Sequence, residues 1–258
     1  MPSAGSNRVA GTPATTQFVV NQAMLEPPRF LNWSVGLERM LRGGIYGKFE
    51  FVDRHGEQGF TFANQSANPA APGGSFLLTN QRADHYDGFQ MTLRRDFRNS
   101  HALLFSYARS SARTNRALEF TLDNPIFGQQ VGGPLPWDAP DRIISWGWLP
   151  MPWFKRTDFA YSLEWRTGFP FNIVNAQQQL VGLPDRTRFP YYFTFNPALE
   201  RVFQFFGYQF ALRGGIDNIT GRRNPVVVNN NIDSPQFLTF SGLGHRTFNG
   251  RIRFLGKK

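Results

Sequence analysis

Any chemistry in this chain has to start from four histidines, His55, His85, His101 and His245, because its 258 residues contain no cysteine. A thiol nucleophile, a thiolate metal site and a disulfide framework are thereby excluded. The histidines stand far apart along the chain, with no carboxylate partner read at ligand spacing, so no zinc or iron centre is expected and they are assigned to loops or an inward-facing surface. Asp84-His85 with Ser106 or Ser110 offers the residue types of a hydrolase, yet neither serine sits in a nucleophile motif. Gly43-Gly44 and Gly214-Gly215 are expected at turns or bulges, not around a phosphate. The expectation is a protein that is not an enzyme and has no catalytic, metal-binding or cofactor-binding residues.

The elements that carry these residues are strands. A net charge of +10 invites a nucleic-acid reading, but the basic residues are scattered along the chain and form no tract, so no nucleic-acid partner is expected. No apolar run reaches the ~20 residues of a membrane-spanning helix. Hydrophobic residues make up 41% and aromatics 16%, with 27 Phe. That content would be hidden from any averaging window if apolar and polar residues alternate, as they do in a transmembrane barrel.

They do alternate. Residues 1–29 read as a loop or arm broken by Phe18-Val-Val20, and the strands begin after it. Leu31, Trp33, Val35 and Leu37 oppose Asn32, Ser34, Gly36 and Glu38, and a turn at 41–44 leads to Ile45, Phe49 and Phe51. After a long connection over 54–84, Phe89, Met91 and Leu93 turn at 96–100 into Leu103, Phe105 and Tyr107. A loop reaches Ile144, Trp146 and Trp148, and the clearest run follows, with Phe159, Tyr161, Leu163 and Trp165 against Ala160, Ser162 and Glu164. The last pair of strands sets Tyr208, Phe210, Leu212 and Ile216 against Gln209, Arg213 and Asp217, then Phe248, Ile252 and Phe254 against Asn249, Arg251 and Arg253. A period of two with two different environments is a strand with two different faces.

Short turns and long loops alternate along about nine such strands, the pattern of an up-and-down transmembrane β-barrel with long external loops. The fold expected is therefore all-β: an antiparallel barrel portion in residues 30–258, located in the cell outer membrane. Its lipid-facing aromatic girdle is assigned to Trp33, Phe105, Trp146, Trp148, Phe159, Tyr161, Leu163, Trp165 and Phe210, and the small residues Ser106, Ala108, Ser145, Gly147, Ala160 and Ser162 to the lumen. An odd strand number brings the first and last strands together in the same direction, so a curved open sheet is expected, with edges at 31–40 and 246–254. A soluble β-sandwich or a non-transporting, adhesin-like surface protein would share the alternation.

With the pattern assembled, the chain resembles the C-terminal part of the barrel of TonB-dependent outer-membrane receptors, the Oar-like group in particular. The residues that carry the likeness are Trp33-Ser-Val-Gly-Leu-Glu-Arg39, Tyr86-Asp-Gly-Phe-Gln-Met-Thr-Leu-Arg-Arg95, Asp141-Arg-Ile-Ile-Ser145, Trp165-Arg-Thr-Gly-Phe-Pro-Phe171 and Leu212-Arg-Gly-Gly-Ile-Asp-Asn-Ile-Thr-Gly-Arg-Arg-Asn-Pro225. The resemblance implies a receptor and transporter for a substrate that the sequence does not name. It implies outer-membrane lipid and lipopolysaccharide as surroundings, with Arg113, Arg116, Arg186, Arg222 and Arg223 available to lipopolysaccharide phosphates. It also implies contact with TonB only through a plug domain, which has no counterpart in these residues. Phe248, Gly250, Ile252 and Phe254 resemble the C-terminal signal recognised by the barrel-assembly machinery, although Leu255-Gly-Lys-Lys258 follows it.

Overall fold

The computed structural model describes residues 16–66, 73–97, 101–118, 126–242 and 244–257. The first fifteen residues of the expected arm lie outside them. In chain order the strands are β1 (Thr16–Val19), β2 (Arg29–Leu41), β3 (Ile45–Asn64), β4 (Gly74–Asp96), β5 (Ala102–Thr114), β6 (Gly133–Pro134), β7 (Asp141–Pro150) and β8 (Thr157–Arg166). There follow β9 (Pro170–Phe171), β10 (Thr187–Arg188), β11 (Tyr192–Phe205), β12 (Tyr208–Asp217), β13 (Val227–Val228), β14 (Phe240–Ser241) and β15 (Thr247–Lys257). The only described helical segment is one 3₁₀ turn at Gln22–Met24.

Nine long strands form one sheet in the order β15-β12-β11-β8-β7-β5-β4-β3-β2, every neighbouring pair antiparallel. Eight antiparallel steps leave β2 and β15 running in the same direction, and the sheet is not closed. Its edges coincide with those expected from the sequence. Both edge strands are exposed along nearly their whole length.

Tight connections gather at one end. Phe205 pairs with Tyr208 across Phe206-Gly207, where both central residues have positive φ (48° and 76°). That is the backbone a two-residue hairpin needs to match the strand twist. At the same end Leu41 pairs with Ile45 across Arg42-Gly43-Gly44. By contrast, Gly214-Gly215 is no bulge: it lies in regular β12 pairing, opposite Gly250 and Asn249, while the β12–β15 register shift falls at Gln209/Phe210.

The connection expected over 54–84 is corrected. β3 runs on to Asn64 and β4 starts at Gly74, so most of that stretch is a hairpin extending beyond the other strands. Register shifts at Gly56/Gly59 and Gly59/Thr61, with Gln58 at φ 56°, break the alternation in sequence without ending the ladder. β1 joins this extension in parallel, Phe18 stacking on Phe76 and meeting Phe62 edge-on.

Among the described residues the largest fully enclosed side chains are Phe76, on the part of β4 that extends toward the loops, and Leu118, Val174 and Pro184 of the loops. There the loops interlock. Val174 takes a backbone hydrogen bond from Ile232 and gives one to Asn230, and Phe127 exchanges two with Gln178 and Leu180. Asp138, buried, pairs with Arg188 at 2.5 Å and accepts from the Ala112 amide, tying the 115–140 loop to the 167–191 loop and to β5.

Candidate membrane-facing surface and lumen

Directly paired residues in a sheet project to the same side, so the register sorts every strand residue between two faces. Trp33 pairs with Asp53; Val35 with Phe51 and Phe51 with Phe89; Leu93 with Phe105; Phe105 with Ser145; Ser145 with Leu163; Leu163 with Phe195; Leu199 with Gly214; and Leu212 with Ile252. One face therefore carries a predominantly apolar band that crosses all nine strands. It holds seven of the expected girdle residues, Trp33, Phe105, Phe159, Tyr161, Leu163, Trp165 and Phe210, together with Phe248, Gly250, Ile252 and Phe254 of the last strand.

Trp146 and Trp148 are a correction. They pair with Leu104 and Ala102 on one side and with Ser162 and Ala160 on the other, and so project from the opposite face. Ser145 and Gly147, expected beside the small residues, stand on the apolar face instead. The vacancy they leave is filled by Tyr161: its hydroxyl lies 3.0 Å from Ser145 Oγ, and a Cβ on Gly147 would come within 2.5 Å of the tyrosine ring.

The two faces differ in reach. On the apolar face ring contacts between strands join nearest neighbours: Trp33–Phe51, Phe49–Phe89, Phe89–Tyr107, Tyr161–Phe195 and Phe210–Phe254. On the other face side chains meet across intervening strands. Arg253 of β15 passes β12 to pair with Glu200 of β11 at 2.5 Å. Arg213 of β12 lies 5.8 Å from the Trp148 ring of β7, although β8 and β11 intervene and flat strands would stand about 14 Å apart. The polar face is thus the concave, inner one and the apolar face the outer one. Burial follows the same division: inner Ala160, Ala198, Ala211 and Glu200 are buried, whereas outer Leu37, Phe248 and Ile252 are 71%, 77% and 74% exposed.

The outer apolar run on β12, Tyr208 to Ile216, covers about 26 Å of strand at ~3.3 Å per residue, or about 20 Å of height at a ~40° tilt. Toward the loops the outer face turns polar, with Asp53, Asp87, Arg109 and Asp141, the last accepting from the Tyr107 hydroxyl at 2.7 Å. The inner face is lined by satisfied polar groups. Lys48 bridges Glu38 and Glu50, Arg142 bonds Glu164, and Gln90 donates to Ser106. Near the loops it opens into a cavity of about 520 Å³ bordered by Phe30, Arg54, Arg82, Asp84, Tyr86 and Trp137.

The structure also overturns the separation of the histidines. His55 and His85, thirty residues apart, are register partners with rings 4.3 Å apart, and Asp53 and Asp87 form the adjacent pair on the same outer face. The signal was present as Asp53-x-His55 and His85-x-Asp87, two period-two pairs that become a cluster only once β3 and β4 are paired. His101 bonds Asp158 at 2.9 Å at the turn end, and His245 lies in the last loop.

No family model matches this chain and no curated protein matches it. Among solved structures it is similar to the crystal structure of the outer membrane transporter YddB from Escherichia coli, with a TM-score of 0.62 at 14% identity over 93% of this chain. The chain spans 34% of the length of that transporter. Its open antiparallel sheet thus has the fold of part of an outer-membrane transporter barrel.

Proposed function

We propose that this chain forms part of the transmembrane barrel of an outer-membrane receptor and transporter of the TonB-dependent, Oar-like kind. The observation that carries the reading is the outer, predominantly apolar face, crossing all nine strands and left exposed, against an inner face lined by hydrogen-bonded polar and charged groups. Lipid hydrocarbon is the surroundings that makes such a surface favourable, since the inner strands pair on both sides within the sheet while apolar side chains meet acyl chains. The loop end faces outward, where its arginines meet lipopolysaccharide phosphates, and the tight turns face the periplasm. A substrate entering from outside first meets the aromatic and charged groups of the cavity at Tyr86 and Trp137. Coupling to TonB runs through a plug domain outside these residues, and β15, with its alternating Phe248, Gly250, Ile252 and Phe254, is the strand offered to the barrel-assembly machinery.

Arginine substitution on the two faces tests the reading. An Arg near the membrane midplane costs ~2–4 kcal/mol on the lipid side and little on the lumen side. Leu163→Arg and Phe105→Arg are expected to remove the protein from the outer-membrane fraction, and Ser162→Arg and Ser106→Arg to leave it there. Equal tolerance at all four positions contradicts a membrane-facing outer surface.

A further inference from the structure

We propose that Asp53, His55, His85 and Asp87 form a binding site for a first-row divalent cation of the zinc class on the outer face of the β3–β4 hairpin. Asp53 is the register partner of Asp87 and His55 that of His85, so the four side chains stand at the corners of a rectangle of about 5 by 7 Å on one side of the sheet. His85 Nε2 lies 3.4 Å from an Asp87 oxygen and 3.9 Å from an Asp53 oxygen, and His55 Nε2 lies 4.0 Å from the other Asp53 oxygen. One ligand atom from each of Asp53, His55 and His85 falls within a common span of 4.8 Å. Small side-chain rotations bring such atoms to the ~3.4 Å spacing of donors around a tetrahedral ion at ~2.0–2.2 Å.

Two features set this block apart from the rest of the ladder. The ion pairs of the inner face put opposite charges together, as in Lys48 with Glu38 and Glu50 or Arg253 with Glu200. Here carboxylate stands opposite carboxylate, a like-charge pair that destabilises a sheet unless a cation lies between the two, and the next row sets imidazole opposite imidazole. In addition, His85 Nδ1 is buried with no hydrogen-bond partner. With Nε2–H directed at the aspartates, the lone pair of Nδ1 is left unused; with the proton on Nδ1, a buried donor is unpaired and Nε2 is a ready ligand. The neighbouring positive groups are Arg113, beside His85 on β5 and donating to Ser111, and Arg109 one row nearer the turns; Arg29 and Glu57 pair one row further out. Arg113 competes for the carboxylates and limits affinity. Two imidazoles with carboxylates select zinc and its first-row neighbours over magnesium or calcium, which prefer oxygen ligands alone. The bound ion would cross-link β3 to β4 just below the register shift at Gly56, at the base of the extended hairpin.

The test is zinc titration, followed by calorimetry in detergent, of the chain assembled with the further strands of a complete barrel. One ion per chain is expected, undisturbed by a large excess of magnesium, with His55→Ala and His85→Ala each weakening binding by about tenfold or more. In the unaltered protein, where no substitution can disturb folding, zinc is expected to shield His55 and His85 from carbethoxylation while His101 and His245 react as before. Binding unchanged in both variants, or carbethoxylation of His55 and His85 unaffected by zinc, overturns the site.

Discussion

Two tryptophans show what alternation can and cannot decide at the level of single residues. Between Ile143 and Trp148 both phases contain apolar side chains, Ile143 in one and Ile144, Trp146 and Trp148 in the other, and bulk alone favours the second. Pairing reverses that choice, because Ser145 and Gly147 stand beside Leu163 and Tyr161, and the tyrosine ring covers what they lack. Trp148 instead meets Arg213 over the inner surface. Where one phase was plainly small or polar, as in Phe159 to Trp165, the face was legible from sequence. Trp148→Arg is therefore expected to insert normally while Trp165→Arg, on the outer face, is expected to be lost from the outer-membrane fraction; heat-modifiable gel migration of the two variants distinguishes them.

At the scale of elements, strands and the tight turns at 42–44 and 206–207 were legible and the loop end was not, while residues 98–100 of the turn expected at 96–100 lie outside the described residues. A hairpin of nearly regular pairing from Ile45 to Asp96 reads as two strands and a long loop because Gly56, Gly59 and Gln58 interrupt the period. The pairing of His55 with His85 depends on that same extension, and so it too escaped a reading of spacing along the chain. The loops hold the large enclosed side chains Leu118, Val174 and Pro184, yet their contacts join segments far apart in sequence, such as Val174 with Asn230 and Ile232, and carry no periodic signal. Asp138 is the hinge of this packing, accepting from the Ala112 amide and pairing with Arg188, which is itself about a third exposed. Asp138→Ala removes the acceptor of Arg188 Nη2 and of the buried Ala112 amide, while Arg188 Nη1 keeps the Asp138 and Gly168 carbonyls, a loss of about 2–3 kcal/mol in the loop assembly. Proteolysis of the folded protein is expected to speed up within 126–140 and 167–191 while cleavage between β7 and β8 stays unchanged.

The whole molecule is an open sheet whose two edge strands run the same way. In lipid an unpaired edge leaves a row of backbone groups unsatisfied, each costing several kcal/mol. The 258 residues refolded alone are accordingly expected to give no compact, heat-modifiable, trypsin-resistant monomer, whereas co-expression with the further strands of a complete barrel is expected to yield one; a compact monomer from this chain alone would show that β2 and β15 find another way to close. The open edges were foreseeable from strand parity, since each turn reverses direction and nine strands end as they began. Curvature was expected along with the open edges, but the contacts that carry it, such as Arg253 with Glu200 across a strand, have no signal along the chain.

The central claim, that the apolar face meets lipid and the polar face water, is tested most directly by labelling. The chain has no cysteine to interfere. Single cysteines placed in turn at 143–148 on β7 and 159–165 on β8, in protein assembled in the outer membrane, are exposed to a water-soluble maleimide. Reaction is expected at 144, 146 and 148 and at 160, 162 and 164, with the odd-numbered positions of both strands protected. Uniform labelling along the two strands, or reaction at the odd positions instead, would contradict the account.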